Sequence, residues 1–338
     1  MKKLLAVLLI LLPTPVFADA EQDAAAANAS GDYTAELKIT RPLAEKGEAW
    51  AQVSLGANYA SGQGVVQDYA EAVKWYRRAA DQGNATAQYN LGVAYVEGQG
   101  VAQNYAEAAN WFRLAAAKGD ATAQYNLGVS HLEGKGVVQD DAEAVKWFRL
   151  AAAQGNDKAQ SNLGNMYDSG KGVVHDYAEA VKWYRRAADQ GNATAQFNLG
   201  NMYNIGKGVL QDYSEAVKWY RRAAIQGDAD AQLNFGLMYD TGKGVAQNYA
   251  EAMKWYVLAA AQGNAKAQSN LGAMYAMGQG VVQDYRRAHM WFSLGAVSGK
   301  SEKAAKNRDA IAARMTPAQI AEAQKLAREC QARSFKGC

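Results

Sequence analysis

The chain has 338 residues, 49% of them hydrophobic, and its 36 basic and 33 acidic side chains leave a formal net charge of +3. Loss of Lys2 and Lys3 with an export leader would leave about +1, so we expect no nucleic-acid partner. His131, His175 and His289 fall in different parts of the chain, so we expect neither a metal site nor a catalytic triad, and no cofactor or enzymatic activity.

The first 18 residues have the pattern of a secretory signal peptide. Lys2 and Lys3 precede an apolar run over residues 4–12, and the small-residue pattern Val16-Phe17-Ala18 follows. Such a run is too short to span a bilayer, and its flanks predict cleavage after Ala18. No other stretch has transmembrane length, so we expect a periplasmic protein without a membrane anchor, with secretion as the alternative.

Two short segments precede the main body of the chain. Residues 19–31 are rich in Ala and contain a few acidic residues, so we predict a disordered lead. Residues 32–46 match the second half of a repeat, since Asp32-Tyr33 lies 36 residues before Asp68-Tyr69. We therefore predict an N-terminal half repeat.

Residues 47–298 form seven tandem repeats with a period of 36 residues. Leu-Gly and Gly-x-Gly-Val motifs recur with the same period, without insertions. A fixed period of this length predicts a solenoid, because one short unit buries its apolar face only when a neighbour stacks on it. The tryptophans that define the period are Trp75, Trp111, Trp147, Trp183, Trp219, Trp255 and Trp291.

Each repeat is predicted to contain two helices joined by a glycine-rich turn. In repeat 2, residues 83–118, Asn84 and Asn104 are suitable N-cap residues. Most second helices begin with Asp-Tyr-Ala-Glu, which resembles a capping box, and helical spacing directs the tryptophan toward the core. Gly92 lies inside the first helix at a cost of about 1 kcal/mol relative to Ala, so we expect a neighbouring helix to approach closely there.

The combination of Leu-Gly, a Tyr three residues later, Gly-x-Gly-Val, Asp-Tyr-x-x-Ala and Lys-Trp-Tyr resembles the Sel1-like repeat family over residues 47–298. The resemblance implies a tetratricopeptide-like, right-handed α-solenoid that holds other proteins on its concave face. Some disulfide-rich relatives are associated with β-lactam binding or hydrolysis. The repeats here contain no cysteine pairs and no Ser-x-x-Lys motif is visible, so a β-lactamase-like enzyme is the less favoured alternative.

The candidate binding residues lie on the first helix of each repeat. In repeat 2, Thr86, Asn90, Val93 and Glu97 share one helical face that points away from the core. The Asn position recurs in six repeats, and its amides either grip the backbone of an extended peptide or bond to the next repeat. The position three residues later varies, as expected of a ligand-binding surface. The proposed stripe contains Asn90, Asn126, Asn162, Asn198, Asn234, Asn270, Val93, Val129, Asn165 and Asn201.

These features predict a scaffold that binds an envelope protein or a peptide on its concave face. The alternative is a cell-wall or polysaccharide-associated factor whose ligand is a glycan. Neither the partner nor the oligomeric state is specified by the repeat pattern.

Residues 299–338 are predicted to form a C-terminal helical cap. Thr316-Pro317-Ala318-Gln319 has the pattern of a helix start with a capping box. Cys330 and Cys338 are the two cysteines of the chain, and in an oxidising compartment we expect them to form a disulfide that closes the cap. Free thiols or an intermolecular link are the alternatives.

Overall fold

The computed structural model describes residues 15–297, 302–335 and 337–338, with side chains from residue 19 onward. All regular elements among these residues are α-helices, which confirms the predicted all-α class. Of the predicted signal peptide, residues 1–14 lie outside the described part. No helix in the described ranges combines the length and the apolar character needed to cross a membrane.

The chain divides into two compact units, of which the first ends at Asn156 and the second begins at Asp157. The first unit has two leading helices followed by the helix pairs of repeats 1 to 3. Its helices are α1 (Pro15–Ala29), α2 (Tyr33–Lys46), α3 (Ala49–Ser61), α4 (Tyr69–Asp81), α5 (Ala85–Glu97), α6 (Tyr105–Ala117), α7 (Ala121–Glu133) and α8 (Asp141–Ala153).

The second unit contains the helix pairs of repeats 4 to 7 and a two-helix cap. Its helices are α9 (Asp157–Ser169), α10 (Tyr177–Asp189), α11 (Ala193–Ile205), α12 (Tyr213–Ile225), α13 (Ala229–Thr241), α14 (Tyr249–Ala261), α15 (Ala265–Met277), α16 (Tyr285–Val297), α17 (Glu302–Ala312) and α18 (Pro317–Ala332).

The segment expected to be a disordered lead is instead helical through Ala29. Ala24 is buried, and the Asn28 side chain donates to Glu36 Oε2 on α2 at 2.8 Å. Glu36 is itself buried, and its other carboxylate oxygen accepts from the Ser54 hydroxyl on α3. The high helix propensity of Ala and this packing on α2 together order a segment whose composition alone suggested disorder.

Local side-chain bonds cap the starts of most repeat helices, with the first helix of repeat 1 as an exception. Asn84 Oδ1 accepts from Ala87 N at 3.0 Å, as expected of an N-cap. Asp68 Oδ1 likewise accepts from Glu71 N at 3.0 Å, but the Glu71 carboxylate contacts Lys74 Nζ at 2.8 Å rather than completing a capping box. The predicted box at the second helices is therefore half formed.

The glycine inside each first helix makes room for an aromatic ring of the second helix. A Cβ added at Gly92 would lie 2.4 Å from the Phe112 ring, and Phe112 is buried. The predicted close approach of the two helices is thus confirmed. The residue that contacts the glycine is the aromatic residue directly after each tryptophan. That residue is buried more deeply than the tryptophan, since Tyr220 is 0% exposed and Trp219 is 8% exposed.

A buried glutamine in each first helix forms a hydrogen-bond ladder that the sequence analysis missed. In repeat 3, Gln124 Nε2 donates to the carbonyl oxygen of Ala116 at 3.1 Å, and its Oε1 accepts from Gln154 Nε2 at 2.8 Å. Gln232 makes the equivalent pair of bonds in repeat 6. The bond to Ala116 joins the first helix of repeat 3 to the second helix of repeat 2. The bond from Gln154 joins the same first helix to the end of repeat 3.

The C-terminal cap follows the predicted pattern. Thr316 and Gln319 form both bonds of the capping box at the start of α18. Cys330 and Cys338 form a disulfide, and Phe335 and Cys338 pack against the apolar core of repeats 6 and 7.

Candidate functional site

The predicted binding residues occupy equivalent positions on consecutive first helices. We call the surface formed by the Asn position and the position three residues later the first-helix stripe. The stripe asparagines are all half-buried, so each is in contact with protein on one side and accessible on the other. They are Asn90, Asn126, Asn162, Asn198, Asn234 and Asn270.

In repeats 4 and 5 the stripe amides bond to each other and to a buried tyrosine. Asn165 Oδ1 accepts from the Tyr184 hydroxyl at 2.7 Å and from Asn198 Nδ2 at 3.1 Å. Tyr184 is only 1% exposed, so Asn165 satisfies a hydroxyl group that would otherwise be buried without a partner. The Asn198 amide therefore links repeat 5 to repeat 4.

The same arrangement recurs one repeat later. Asn201 Oδ1 accepts from the Tyr220 hydroxyl at 2.7 Å and from Asn234 Nδ2 at 3.2 Å. In repeat 6, the Tyr256 hydroxyl donates to Asp240 Oδ2 at 3.1 Å and also hydrogen-bonds to Asn270. Asn165, Asn198, Asn201, Asn234 and Asn270 thus make internal hydrogen bonds, which supports the structural interpretation of the two that the sequence left open.

In repeats 2 and 3 the variable position of the stripe is apolar and lines a pocket. Val93 and Val129 take the place of Asn165 and Asn201, and they line a cavity of about 360 Å³. Val96 and the Phe112 ring form further apolar wall, while Asn126, which hydrogen-bonds to Tyr89, lies at its side. The rim is polar and includes Glu97, Ser130, Glu133 and Lys135. Such a cavity suits one large apolar side chain of a bound chain.

The difference between the two stripes follows the identity of the core aromatic residue. Phe112 and Phe148 occur in the repeats that have Val at the variable stripe position, whereas Tyr184 and Tyr220 occur where that position is Asn. The two positions covary in repeats 2 to 5, whereas Tyr76 and Tyr256 occur with Ala57 and Leu237 in repeats 1 and 6. The pattern can be read from the sequence, but the structure is needed to show that the two side chains meet.

The outer face of the second helices is occupied by short-range ion pairs. Lys74 lies 2.8 Å from Glu71, and equivalent pairs occur at Lys146, Lys182, Lys218 and Lys254. These pairs form a charged, solvent-accessible face. Among the described residues, no group of three or more His, Cys, Asp or Glu side chains is arranged to hold a metal ion.

Comparison with known proteins places these features in context. A family model described as Sel1 repeat matches residues 51–84, 85–120, 121–156, 157–192, 193–228, 229–264 and 265–299. A Sel1 repeat protein from Oxalobacter formigenes is 33% identical, with a TM-score of 0.64, and the match covers 75% of this chain and 98% of that chain. The protective antigen c5321 of uropathogenic Escherichia coli, described as displaying an SLR fold, is 28% identical over 95% of each chain, with a TM-score of 0.56. No curated protein matches the chain.

Proposed function

The chain belongs to the Sel1 repeat family, and from this premise we propose that it is an exported scaffold that binds an extended segment of a partner protein on its first-helix stripe. The first unit is the proposed binding region. The partner belongs to the cell envelope in this proposal, and the periplasm is the proposed location.

One observation supports this assignment above the others. The stripe pocket at Val93 and Val129 is open, whereas Asn165 and Asn201 at the equivalent positions are hydrogen-bonded to buried tyrosines. Other core positions stay constant in repeats 2 to 5, as at Leu91, Leu127, Leu163 and Leu199. The stripe is thus a surface on which repeats with one backbone differ in chemistry, as expected of a surface that selects a ligand.

Export is supported by the N-terminal pattern of residues 1–18 and by the disulfide between Cys330 and Cys338, a bond that persists in oxidising compartments. The uropathogenic relative is described as a protective antigen, which fits a protein that leaves the cytoplasm. Cell fractionation with mass measurement of the released chain tests this part of the proposal. We expect a periplasmic chain that begins at Asp19, and an intact cytoplasmic chain would contradict export.

The binding function is tested by crosslinked affinity capture from an envelope extract. The mature wild-type chain is compared with the double variant Val93→Asn/Val129→Asn, whose new residues occur naturally at the same position in repeats 4 and 5. We expect a partner that the wild type retains and the double variant loses. The matched control is Val138→Asn, the same change at a side chain that is 87% exposed and outside the stripe.

Other outcomes separate the alternatives. Equal capture by the wild type and the double variant would remove the stripe from the proposal. Retention on purified peptidoglycan without protein capture would favour the glycan-binding alternative, and cleavage of a chromogenic β-lactam by the purified chain would establish an enzyme instead.

A further inference from the structure

Tyr76 differs from the other tyrosines at the core aromatic position. Tyr184, Tyr220 and Tyr256 each donate to a polar side chain of their own first helix, whereas repeat 1 has Ala57 and Ala60 in the corresponding positions. Tyr76 is only 7% exposed, and its hydroxyl has no hydrogen-bond partner within the described ranges. Burial raises the pKa of Tyr76 to about 12, so at neutral pH this hydroxyl is a protonated donor.

The Tyr76 side chain lines a small cavity together with Asn90. The cavity has a volume of about 100 Å³, and most of its remaining wall is apolar, including Ala60, Val73 and Val93. Within the described part of the chain the Asn90 amide, like the Tyr76 hydroxyl, lacks a side-chain hydrogen bond. Both groups line an accessible cavity, so each is free to bond to a molecule that enters it. A ligand that supplies both a donor and an acceptor would match this pair.

This polar cavity adjoins the apolar pocket of the stripe, because Val93 lines both. The rim of the apolar pocket has two glutamates, and one of them makes an ion pair. Glu133 lies 2.7 Å from Lys135, while Glu97 makes no ion pair with a described residue. The free carboxylate of Glu97 favours a cation beside the apolar side chain of the ligand.

We propose that the two cavities form one peptide-recognition site. An extended peptide would place a carboxamide side chain, from Asn or Gln, against Tyr76 and Asn90. It would place a large apolar side chain between Val93 and Val129, with a Lys or Arg beside Glu97. A carboxamide matches the first cavity because it offers two donors and an acceptor to an amide and a hydroxyl. This inference rests on the proposed scaffold function and names the peptide chemistry that the first unit selects.

The test is binding of the full mature chain to an array of short synthetic peptides in which Asn or Gln, Leu or Phe, and Lys or Arg are varied independently. We expect peptides with all three features to be selected. Tyr76→Phe should remove the preference for the carboxamide and weaken the best peptide about fivefold, the effect of one neutral hydrogen bond. Tyr184→Phe is the matched control, since it deletes the same hydroxyl in the second unit, and it should leave peptide binding unchanged.

Charge reversal gives a second, independent readout. Glu97→Lys should change the preference from basic to acidic peptides, and because Glu97 is exposed the fold should be retained. The inference is overturned if Tyr76→Phe and Glu97→Lys leave the selected peptides unchanged, or if the Tyr76 cavity of a peptide complex holds ordered water only. If the chain still captures a partner through Val93 and Val129 in that case, the scaffold function stands; if it binds neither a partner nor a peptide, the scaffold function itself fails.

Discussion

Repeat 2 and repeat 4 have the same helix pair and the same glycine contact. They differ in the core aromatic residue and in the stripe residue that packs beside it. In repeat 2, Phe112 packs beneath an open apolar pocket that Val93 lines. In repeat 4, the Tyr184 hydroxyl bonds to Asn165, and the same position is closed by hydrogen bonds. The Tyr184 hydroxyl and Asn165 thus make the difference between the two surfaces. Without such a pair the surface is available to a ligand, and with it the surface links neighbouring repeats.

Enlarging the buried glycine should produce the largest effect and should sharpen this contrast. An added Cβ would lie 2.4 Å from the aromatic ring at both Gly92 and Gly164. We expect Gly92→Ala to lower the free energy of unfolding by about 2 kcal/mol, because overpacking outweighs the gain in helix propensity. Gly164→Ala should cost about 3 kcal/mol, because displacement of the Tyr184 ring also strains its bond to Asn165.

Urea denaturation followed by tryptophan fluorescence gives both values, and hydrogen exchange locates the loosened repeat. The control is the wild-type chain under the same conditions. Equal costs at Gly92 and Gly164 would show that the hydroxyl bond in repeat 4 adds nothing when the ring is displaced.

Converting the stripe of repeat 4 to that of repeat 2 should have the next largest effect. Asn165→Val leaves the buried Tyr184 hydroxyl unpaired and removes the acceptor for Asn198, so we expect a loss of about 2 kcal/mol in the free energy of unfolding. Adding Tyr184→Phe should recover most of that loss, since both partners are then apolar as in repeat 2.

The measurement is a double-mutant cycle by urea denaturation, with Tyr184→Phe alone as the fourth corner. Additive effects of the two substitutions would contradict the covariation between stripe and core aromatic. A positive interaction of about 1 kcal/mol or more would support it.

The contrast also shows what the sequence does and does not predict. The period, the helix pairs, the N-caps at Asn84 and Asp68 and the close approach at Gly92 follow from local rules, and the structure has them. The role of the stripe asparagines does not follow, because it depends on which side chain of another helix reaches Asn165. The helical lead is missed for a similar reason, since the burial of Ala24 is a tertiary contact that composition does not show.

The buried glutamines are the clearest case of this limit. A polar residue such as Gln124 has the sequence character of a surface residue, yet it is 4% exposed. Its burial is tolerable because the carbonyl oxygen of Ala116 accepts its amide proton and Gln154 donates to its oxygen. Those partners are a backbone group and a side chain 30 residues away, so the column alone does not reveal them.

The smallest predicted effect comes from a difference between repeats 2 and 4 at the C-caps of their second helices. Lys118 occupies the position held by Gln190 in repeat 4, where Gln190 Nε2 donates to Gln160 Oε1 at 2.7 Å. In repeat 2 the corresponding acceptor, Gln88 Oε1, is buried and has no partner among the described residues. Lys118→Gln supplies the missing donor, so we expect the free energy of unfolding to rise by about 1 kcal/mol.

Lys118→Ala is the matched control for this substitution, because it also removes the exposed lysine but provides no donor. Urea denaturation should show a gain for Lys118→Gln that Lys118→Ala lacks, and hydrogen exchange should place the added protection in repeats 2 and 3. The reverse change, Gln154→Lys in repeat 3, should leave Gln124 Oε1 without its donor and cost a similar amount. If neither Lys118→Gln nor Gln154→Lys changes stability, the ladder fixes the geometry of the repeats without stabilising them, and the stripe remains the principal difference between repeats 2 and 4.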